Sequence, residues 1–158
     1  MTAIKTIVLD FQKLKTGQKT SFRIKPQTTL YLKVRGSFTD KHLYEHSVYL
    51  ILEGDKSSLD LQGKFFVSDG SQLKLHFFLK DTNKTKEARI NLDLKGLLFD
   101  RNSQAIIEQN ISLSHKDSLL HHSLAFGSPS PDILNYLASR GVEIEWFKSY
   151  LFSNYATI

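Results

Sequence analysis

Apolar and polar residues alternate along most of the chain, from Lys5 to about Phe126. Successive side chains of a strand point to opposite faces, so alternation predicts strands with one buried face. The alternation is strictest in Leu30-Tyr31-Leu32-Lys33-Val34, Leu73-Lys74-Leu75-His76-Phe77 and Ile90-Asn91-Leu92-Asp93-Leu94. The predicted strands cover residues 6–11, 20–24, 29–34, 47–52, 59–67, 73–79, 88–99, 105–113 (interpreted as a strand pair) and 119–126.

These strands recur every ~8–15 residues, with no pattern of helical length between them. Such spacing is typical of an all-β sandwich, a barrel or a β-helix. In a β-helix the strands would stack turn on turn around a shared narrow core, but the sequence shows no strict repeat period. The pattern of residues therefore predicts an all-β domain and leaves these three architectures open.

Helical signals appear after residue 128. Ser130 can cap a helix that begins at Pro131, and Gly141 can adopt the left-handed conformation that ends it. We therefore divide the chain into a β domain, residues 1–128, and a C-terminal helical segment, residues 129–158.

A second helix is predicted from Glu143 to Tyr155, with aromatic residues on two sides. One stripe at helical spacing consists of Ile144, Phe147, Leu151 and Tyr155. Trp146 and Tyr150 lie on nearly the opposite side, and such residues often anchor protein interfaces. Two interpretations stay open, a helix that bridges to a partner and one that lies in a groove of its own domain.

Composition narrows the possible chemistry of this 158-residue chain. Cysteine is absent, which excludes disulfides, thiolate metal sites and cysteine nucleophiles. The chain has no glycine-rich phosphate loop and no Gly-x-Ser-x-Gly motif, so we expect it not to be an enzyme. It also has no run of ~18 apolar residues and no signal-like pattern in residues 1–11, which predicts a cytoplasmic protein that does not cross a membrane.

A net charge of +5 raises the possibility of a polyanionic partner. One alternative function is thus a basic β-sheet module that binds nucleic acid through Lys33, Arg35, Lys74 and Arg89. The basic residues are scattered along the sequence, so a solvated surface is the preferred interpretation and nucleic acid is not the expected partner. Another alternative is a structural or adaptor β-protein.

The histidines by themselves do not define a metal site. His121 and His122 are adjacent, so in a strand they point to opposite faces and cannot bind one ion from one side. His42 and His46 have the spacing of two ligands on a helical turn, but their surroundings lack a helical pattern.

The residues around His122 nevertheless resemble a known family. The segment 120–127, Leu-His-His-Ser-Leu-Ala-Phe-Gly, aligns without a gap with Cys-Ser-His-Gly-Ala-Thr-Val-Gly of the SufB/SufD family. Tyr136-Leu137-Ala138-Ser139-Arg140-Gly141 matches the Tyr-Leu-x-Ser-Arg-Gly that follows it there, and Leu94 to Asp100 is similar to the family's core. Leu120 replaces a frequent cysteine of the family. The chain thus resembles a short SufD-like member.

The resemblance implies a short right-handed parallel β-helix followed by two C-terminal helices. It implies a non-catalytic scaffold of iron–sulfur cluster assembly, which pairs with a second SufB/SufD-like chain or with itself. No cofactor would be bound stably, although His122 could contact iron or a transient cluster at the subunit interface. The C-terminal helices would dock an ABC-type ATPase similar to SufC, through Tyr136, Leu137, Arg140, Trp146, Phe147 and Tyr150.

Overall fold

The chain winds into a parallel β-solenoid of about four turns, followed by two helices, as the resemblance implied. A computed structural model describes residues 3–82 and 85–156, without the side chains of residues 155 and 156. The strands are β1 (Ala3–Asp10), β2 (Lys19–Ile24), β3 (Thr28–Phe38), β4 (Leu43–Leu52), β5 (Ser58–Val67), β6 (Gln72–Asp81), β7 (Arg89–Leu98), β8 (Gln104–Ser112) and β9 (Leu119–Gly127). The helices are α1 (Pro131–Ser139) and α2 (Ile144–Ala156).

The strands divide into two sheets according to their order in the chain. Sheet A has the order β1-β3-β5-β7-β9, and sheet B has the order β2-β4-β6-β8. All neighbours are parallel, and each strand pairs with the strand one turn away. One turn takes about 30 residues, as in the step from Asp93 to Ser123. This pairing selects the β-helix among the three architectures that alternation allowed.

The core lies between the inner faces of the two sheets, and the predicted alternation is confirmed. Leu30, Leu32 and Val34 are buried in β3. The apolar residues of the other two alternating stretches are buried in β6 and β7, whereas His76 and Asp93 point outward. Each apolar residue stacks on the inward residue of the next turn, so the core is continuous along the solenoid axis.

The segment 105–113 is a single strand, β8, and its interpretation as a strand pair was wrong. A parallel solenoid contains no hairpin here, because the backbone of β8 pairs with β6, one turn earlier. The segment with His42 and His46 also differs from a helical turn: His46 lies in β4 and points into the core.

Local signals correctly predicted α1. The Ser130 Oγ accepts a hydrogen bond from the Ile133 N–H at 3.2 Å, and Asp132 lies in the first turn. Gly141 follows the helix with φ of +75°, in the left-handed region that favours glycine.

On the inner face of sheet A, the residues that lie in register on neighbouring strands form columns along the solenoid axis. In one of these columns glycine and phenylalanine alternate. In register, Gly36 lies beside Phe65, Phe65 beside Gly96, and Gly96 beside Phe126. Phe11 follows β1 directly, and its ring lies 6.0 Å from that of Phe65. The absent side chain of each glycine thus makes room for aromatic rings of this layer.

We expect Gly96→Ala to destabilise the solenoid, because a Cβ at residue 96 would overlap the Phe126 ring. Overpacking of this kind costs about 1–3 kcal/mol. Thermal unfolding followed by circular dichroism measures the effect. Gly127→Ala, on the adjacent strand, is the matched control, because nothing lies within 4 Å of the position of its Cβ. Equal loss in the two variants would contradict this packing.

His46 is a titratable group inside the core, with its side chain 1% exposed. Its ring stacks on Phe11 with the ring centroids 5.1 Å apart, and neither ring nitrogen has a hydrogen-bond partner among the described residues. Burial lowers the pKa of His46 from its usual 6.5, against a weaker opposing effect of the Glu45 carboxylate. The folded protein therefore resists protonation of this ring.

We expect this histidine to make stability depend on pH. The unfolded chain takes up the proton near pH 6.5 and the folded chain only at lower pH, so its contribution is complete above pH 6.5 and declines below it. We expect a Tm that falls by a few degrees between pH 7.5 and pH 5.5, since 1 kcal/mol corresponds to about 2–4 °C at this size. His46→Leu should reduce that fall.

His42→Gln is the control for His46→Leu, because His42 is exposed beside Asp40 at 3.4 Å. Comparison with the wild type at each pH removes the contributions of the other histidines, including His76, which lies between Glu45 and Glu108. An unchanged pH dependence in His46→Leu would show that this ring is not the sensitive group.

Candidate functional site

The last strand of sheet A extends beyond sheet B by half a turn. Besides Phe126, the inward residues of β9 are Leu120, His122 and Leu124, which stack in register on Ile90, Leu92 and Leu94. The three residues of β7 are buried, but Leu120 is 39% and Leu124 46% exposed. The reason is that no strand of sheet B faces β9 within the described residues. We call Leu120, His122 and Leu124 the open end.

The strands at this end also have backbone groups available for pairing. In the part of the chain that the structure describes, β9 pairs only with β7, and β8 pairs only with β6. An edge strand beside exposed apolar side chains is a suitable place for another strand to add. The open end therefore has the properties of a protein interface.

A side-chain hydrogen bond links the outer faces of β9 and β7, and an ion pair within β7 shares its carboxylate. The Ser123 Oγ donates to the Asp93 carboxylate at 2.5 Å, and the Lys95 Nζ lies 2.9 Å from the same carboxylate. These two hydrogen bonds, with the Ser123 bond first, hold the pKa of Asp93 below its usual value. Ser123 was not among the predicted site residues, although its place in the alternation would have put it on the outer face.

The two adjacent histidines lie on opposite faces of β9, as predicted. His122 belongs to the open end, whereas His121 borders a groove of about 460 Å³ on the outer face of sheet A, with Tyr31, Asp60 and Asn91. Among the described residues, no three histidine or carboxylate side chains come together in a way that could hold a metal ion. Within this part of the chain, His122 therefore belongs to no such group of ligands.

Helix α2 is held against the solenoid by one side. The Phe152 ring contacts the Phe66 ring of β5 edge to face at 5.8 Å. The Lys148 Nζ lies 2.5 Å from the Asp69 carboxylate and 5.8 Å from the centroid of the Phe99 ring. Phe147 and Leu151 are half-buried, while the side chain of Tyr155, the last residue of the predicted stripe, is outside the described residues.

The opposite side of α2 presents two aromatic rings to solvent. Trp146 is 61% and Tyr150 is 53% exposed. Their rings stack with centroids 5.8 Å apart and an interplanar angle of 10°. We call these two residues the aromatic pair. Because the other side of the helix packs on the solenoid, these contacts fix where the aromatic pair lies on the surface.

The other predicted partner residues divide between outer and inner positions. Tyr136 is 59% exposed, and the guanidinium of Arg140 lies 5.4 Å above its ring. Leu137 is half-buried, as is Phe147, so these two side chains contribute less to an outer surface. The C-terminal helices thus expose Tyr136, Arg140 and the aromatic pair. We call these four residues the helical end.

The four basic residues of the nucleic-acid alternative do not share one face. Lys33, Arg35 and Arg89 point outward from sheet A, and Lys74 points outward from sheet B. Arg35 also lies 3.4 Å from the Asp10 carboxylate.

Comparison with known proteins does not place the chain in a family. No family model matches the sequence, and no curated protein matches it. Neither helix within residues 3–82 and 85–156 is long and apolar enough to cross a membrane.

Proposed function

We propose that this protein is a non-catalytic, SufD-like scaffold subunit of a cytoplasmic iron–sulfur cluster assembly complex. In this proposal the open end joins a second chain of the same kind, and the helical end docks an ABC-type ATPase similar to SufC. The resemblance of residues 120–127 and 136–141 supplies the family, and a β-solenoid with two C-terminal helices agrees with it.

The observation that carries the docking role is the exposed aromatic pair on a helix whose other side is packed. A helix that only filled a groove of its own domain would not need Trp146 and Tyr150 on its solvent side. Tryptophan, tyrosine and arginine are the residues that most often supply binding energy at protein interfaces.

The pairing role is supported by the half-turn extension of β9. A twofold axis parallel to the strands would place β9 of each copy antiparallel to β8 of the other. Both sheets would then continue from one copy into the next without a missing strand, and Leu120 and Leu124 would be covered.

The same arrangement places His122 of both chains at the junction. An imidazole can bind iron, but cluster assembly also needs sulfur ligands, and the chain has no cysteine. The proposal therefore assigns the sulfur chemistry to the partner chain and no stable cofactor to this one. If neither partner binds, the remaining function is that of a structural or adaptor protein.

We expect the purified protein to form dimers, and Leu124→Lys to prevent them. A lysine there would bring an unpaired charge into the joined core, which should weaken pairing by about a hundredfold or more. Light scattering coupled to size exclusion measures the mass. Ile106→Lys is the matched control, because Ile106 is also 46% exposed but points outward from β8. A wild-type monomer at every concentration, also when mixed with a SufB-like chain, would contradict the pairing.

We expect the SufC-type ATPase of the same genome to bind the protein through the helical end. Replacing Trp146 and Tyr150 together with alanine should weaken binding about thirtyfold or more, as loss of a central aromatic anchor does. Surface plasmon resonance with and without ATP measures the affinity. Tyr31→Ala, an exposed tyrosine on the solenoid, is the control. Unchanged binding in the double variant would reject this docking surface.

A further inference from the structure

The last strand of each sheet has one polar residue among its inward-facing side chains. The inward residues of β8 are Ala105, Ile107, Gln109 and Ile111, and those of β9 are Leu120, His122, Leu124 and Phe126. One turn earlier the same two columns contain Phe77 and Leu92, which are buried. Gln109 and His122 therefore interrupt two otherwise apolar rows at the end where the stack of strands stops.

Gln109 lacks a hydrogen bond in the single chain. Its Nε2 is buried and has no partner among the described residues, although the residue as a whole is only half-buried. A buried donor without an acceptor costs free energy, which an acceptor from another molecule can recover. Because β8 is an edge strand within the described residues, this side chain can turn toward a strand that is added beside it.

Gln109 and His122 lie at the same level along the strand direction. The corner of residues 113–118 joins Ser112, the last residue of β8, to Leu119, the first residue of β9. Gln109 lies three residues before Ser112, and His122 lies three residues after Leu119. Since both strands rise by a similar distance per residue, the two side chains are equally far from this corner.

The pairing proposed above turns an equal level into contact between chains. Rotation about an axis parallel to the strands moves no residue along that axis, so each residue of β9 lies beside the residue of the second copy's β8 at the same level. The inward pairs are then Leu120 with Ile111, His122 with Gln109, Leu124 with Ile107, and Phe126 with Ala105. Every apolar residue meets an apolar residue, and the polar residue meets the polar one.

The fourth of these pairs also continues the column in which glycine and phenylalanine alternate. Phe126 lies beside Gly96 within its own chain. The small side chain of Ala105 from the second copy would lie on the other side of the Phe126 ring. Small and large residues would thus go on alternating through the junction. An interface that is complementary to itself in this way favours a second copy of this chain as the occupant.

We propose that the open end joins a second copy of this chain in this one register, fixed by two hydrogen bonds between Gln109 and His122. In each, the Gln109 Nε2–H of one chain donates to a ring nitrogen of His122 in the other. A shift by two residues is the smallest that keeps the inward faces inward, and it would place both polar residues opposite leucine or isoleucine. This inference rests on the proposed pairing and specifies its partner and register.

Disulfide crosslinking between engineered cysteines measures the register, because the natural chain has no cysteine. Asn110 of one copy would lie opposite His121 of the other, both on outer faces. We expect Asn110→Cys/His121→Cys to give a crosslinked dimer on mild oxidation, seen by non-reducing gel electrophoresis. Within one chain these two positions lie on the outer faces of different sheets, which are about 10 Å apart, so an internal disulfide cannot form.

Two matched variants report a shifted register. Ser112→Cys/His121→Cys and Glu108→Cys/His121→Cys would place cysteines opposite each other only after a shift of two residues. In the proposed register their Cα atoms are farther apart than the ~7 Å that a disulfide tolerates, so we expect crosslinking slower by about tenfold or more. Crosslinking of either control as fast as that of Asn110→Cys/His121→Cys would overturn the register.

A double-mutant cycle on the dimer dissociation constant, measured by analytical ultracentrifugation, tests the hydrogen bonds. Gln109→Leu or His122→Leu alone should weaken dimerisation about tenfold or more, since each leaves the other polar group unpaired at the junction. The double variant should regain an affinity near that of the wild type, because two apolar residues then meet. Thermal unfolding verifies that each variant is folded. Effects that simply add in the double variant would overturn the assignment of this polar pair.

The oligomeric state of the wild type separates failure of this inference from failure of the proposed function. A protein that is monomeric alone but pairs with a SufB-like chain would overturn the inference and leave the proposed function standing. A dimer in which Asn110→Cys/His121→Cys does not crosslink would likewise overturn only the register. A monomer under both conditions would overturn the proposed pairing as well.

Discussion

Hydrogen bonding between strands one turn apart is the constraint on which the rest of this molecule depends. Each inner strand of a sheet pairs in register with the strand above it and the strand below it, each edge strand pairs with one neighbour, and all pairs are parallel. Side chains in register therefore form columns along the solenoid axis, and neighbouring side chains within each column must pack against one another. The column of Gly36, Phe65, Gly96 and Phe126 shows the consequence, since large and small residues alternate within a single layer.

A stack of this kind has two ends, and the two ends differ in how far their inward-facing residues are covered. At the end with β1, Phe11 is fully buried and packs on His46 and Phe65, while Ile7 and Leu9 are half-buried. At the other end Leu120 and Leu124 remain exposed beside two edge strands. The same ladder that builds the core thus leaves a surface that another strand can extend, which is the basis of the proposed pairing.

The helical segment adds a second surface by a different principle. Helix α2 uses Phe152 and Lys148 to pack on the solenoid, so its position is fixed by tertiary contacts. The aromatic pair then faces solvent because helical geometry places Trp146 and Tyr150 away from that packed side. The open end and the aromatic pair are consequently separate surfaces, so the proposed pairing and the proposed docking use different residues.

The sequence by itself determined the local features of this protein. Alternation identified the buried faces of β3, β6 and β7, and Ser130, Pro131 and Gly141 identified the limits of α1, because these signals act over a few residues. Only the tertiary structure decided the pairing partner of each strand, since hydrogen bonds between residues about 30 positions apart leave no mark in a local pattern. For that reason alternation could not select the solenoid, which only the family resemblance implied, and 105–113 was misread as a strand pair. The same limit applies to the candidate site. His122 could be identified from its motif, but its position between Leu120 and Leu124 at the open end depends on where the stack of strands stops.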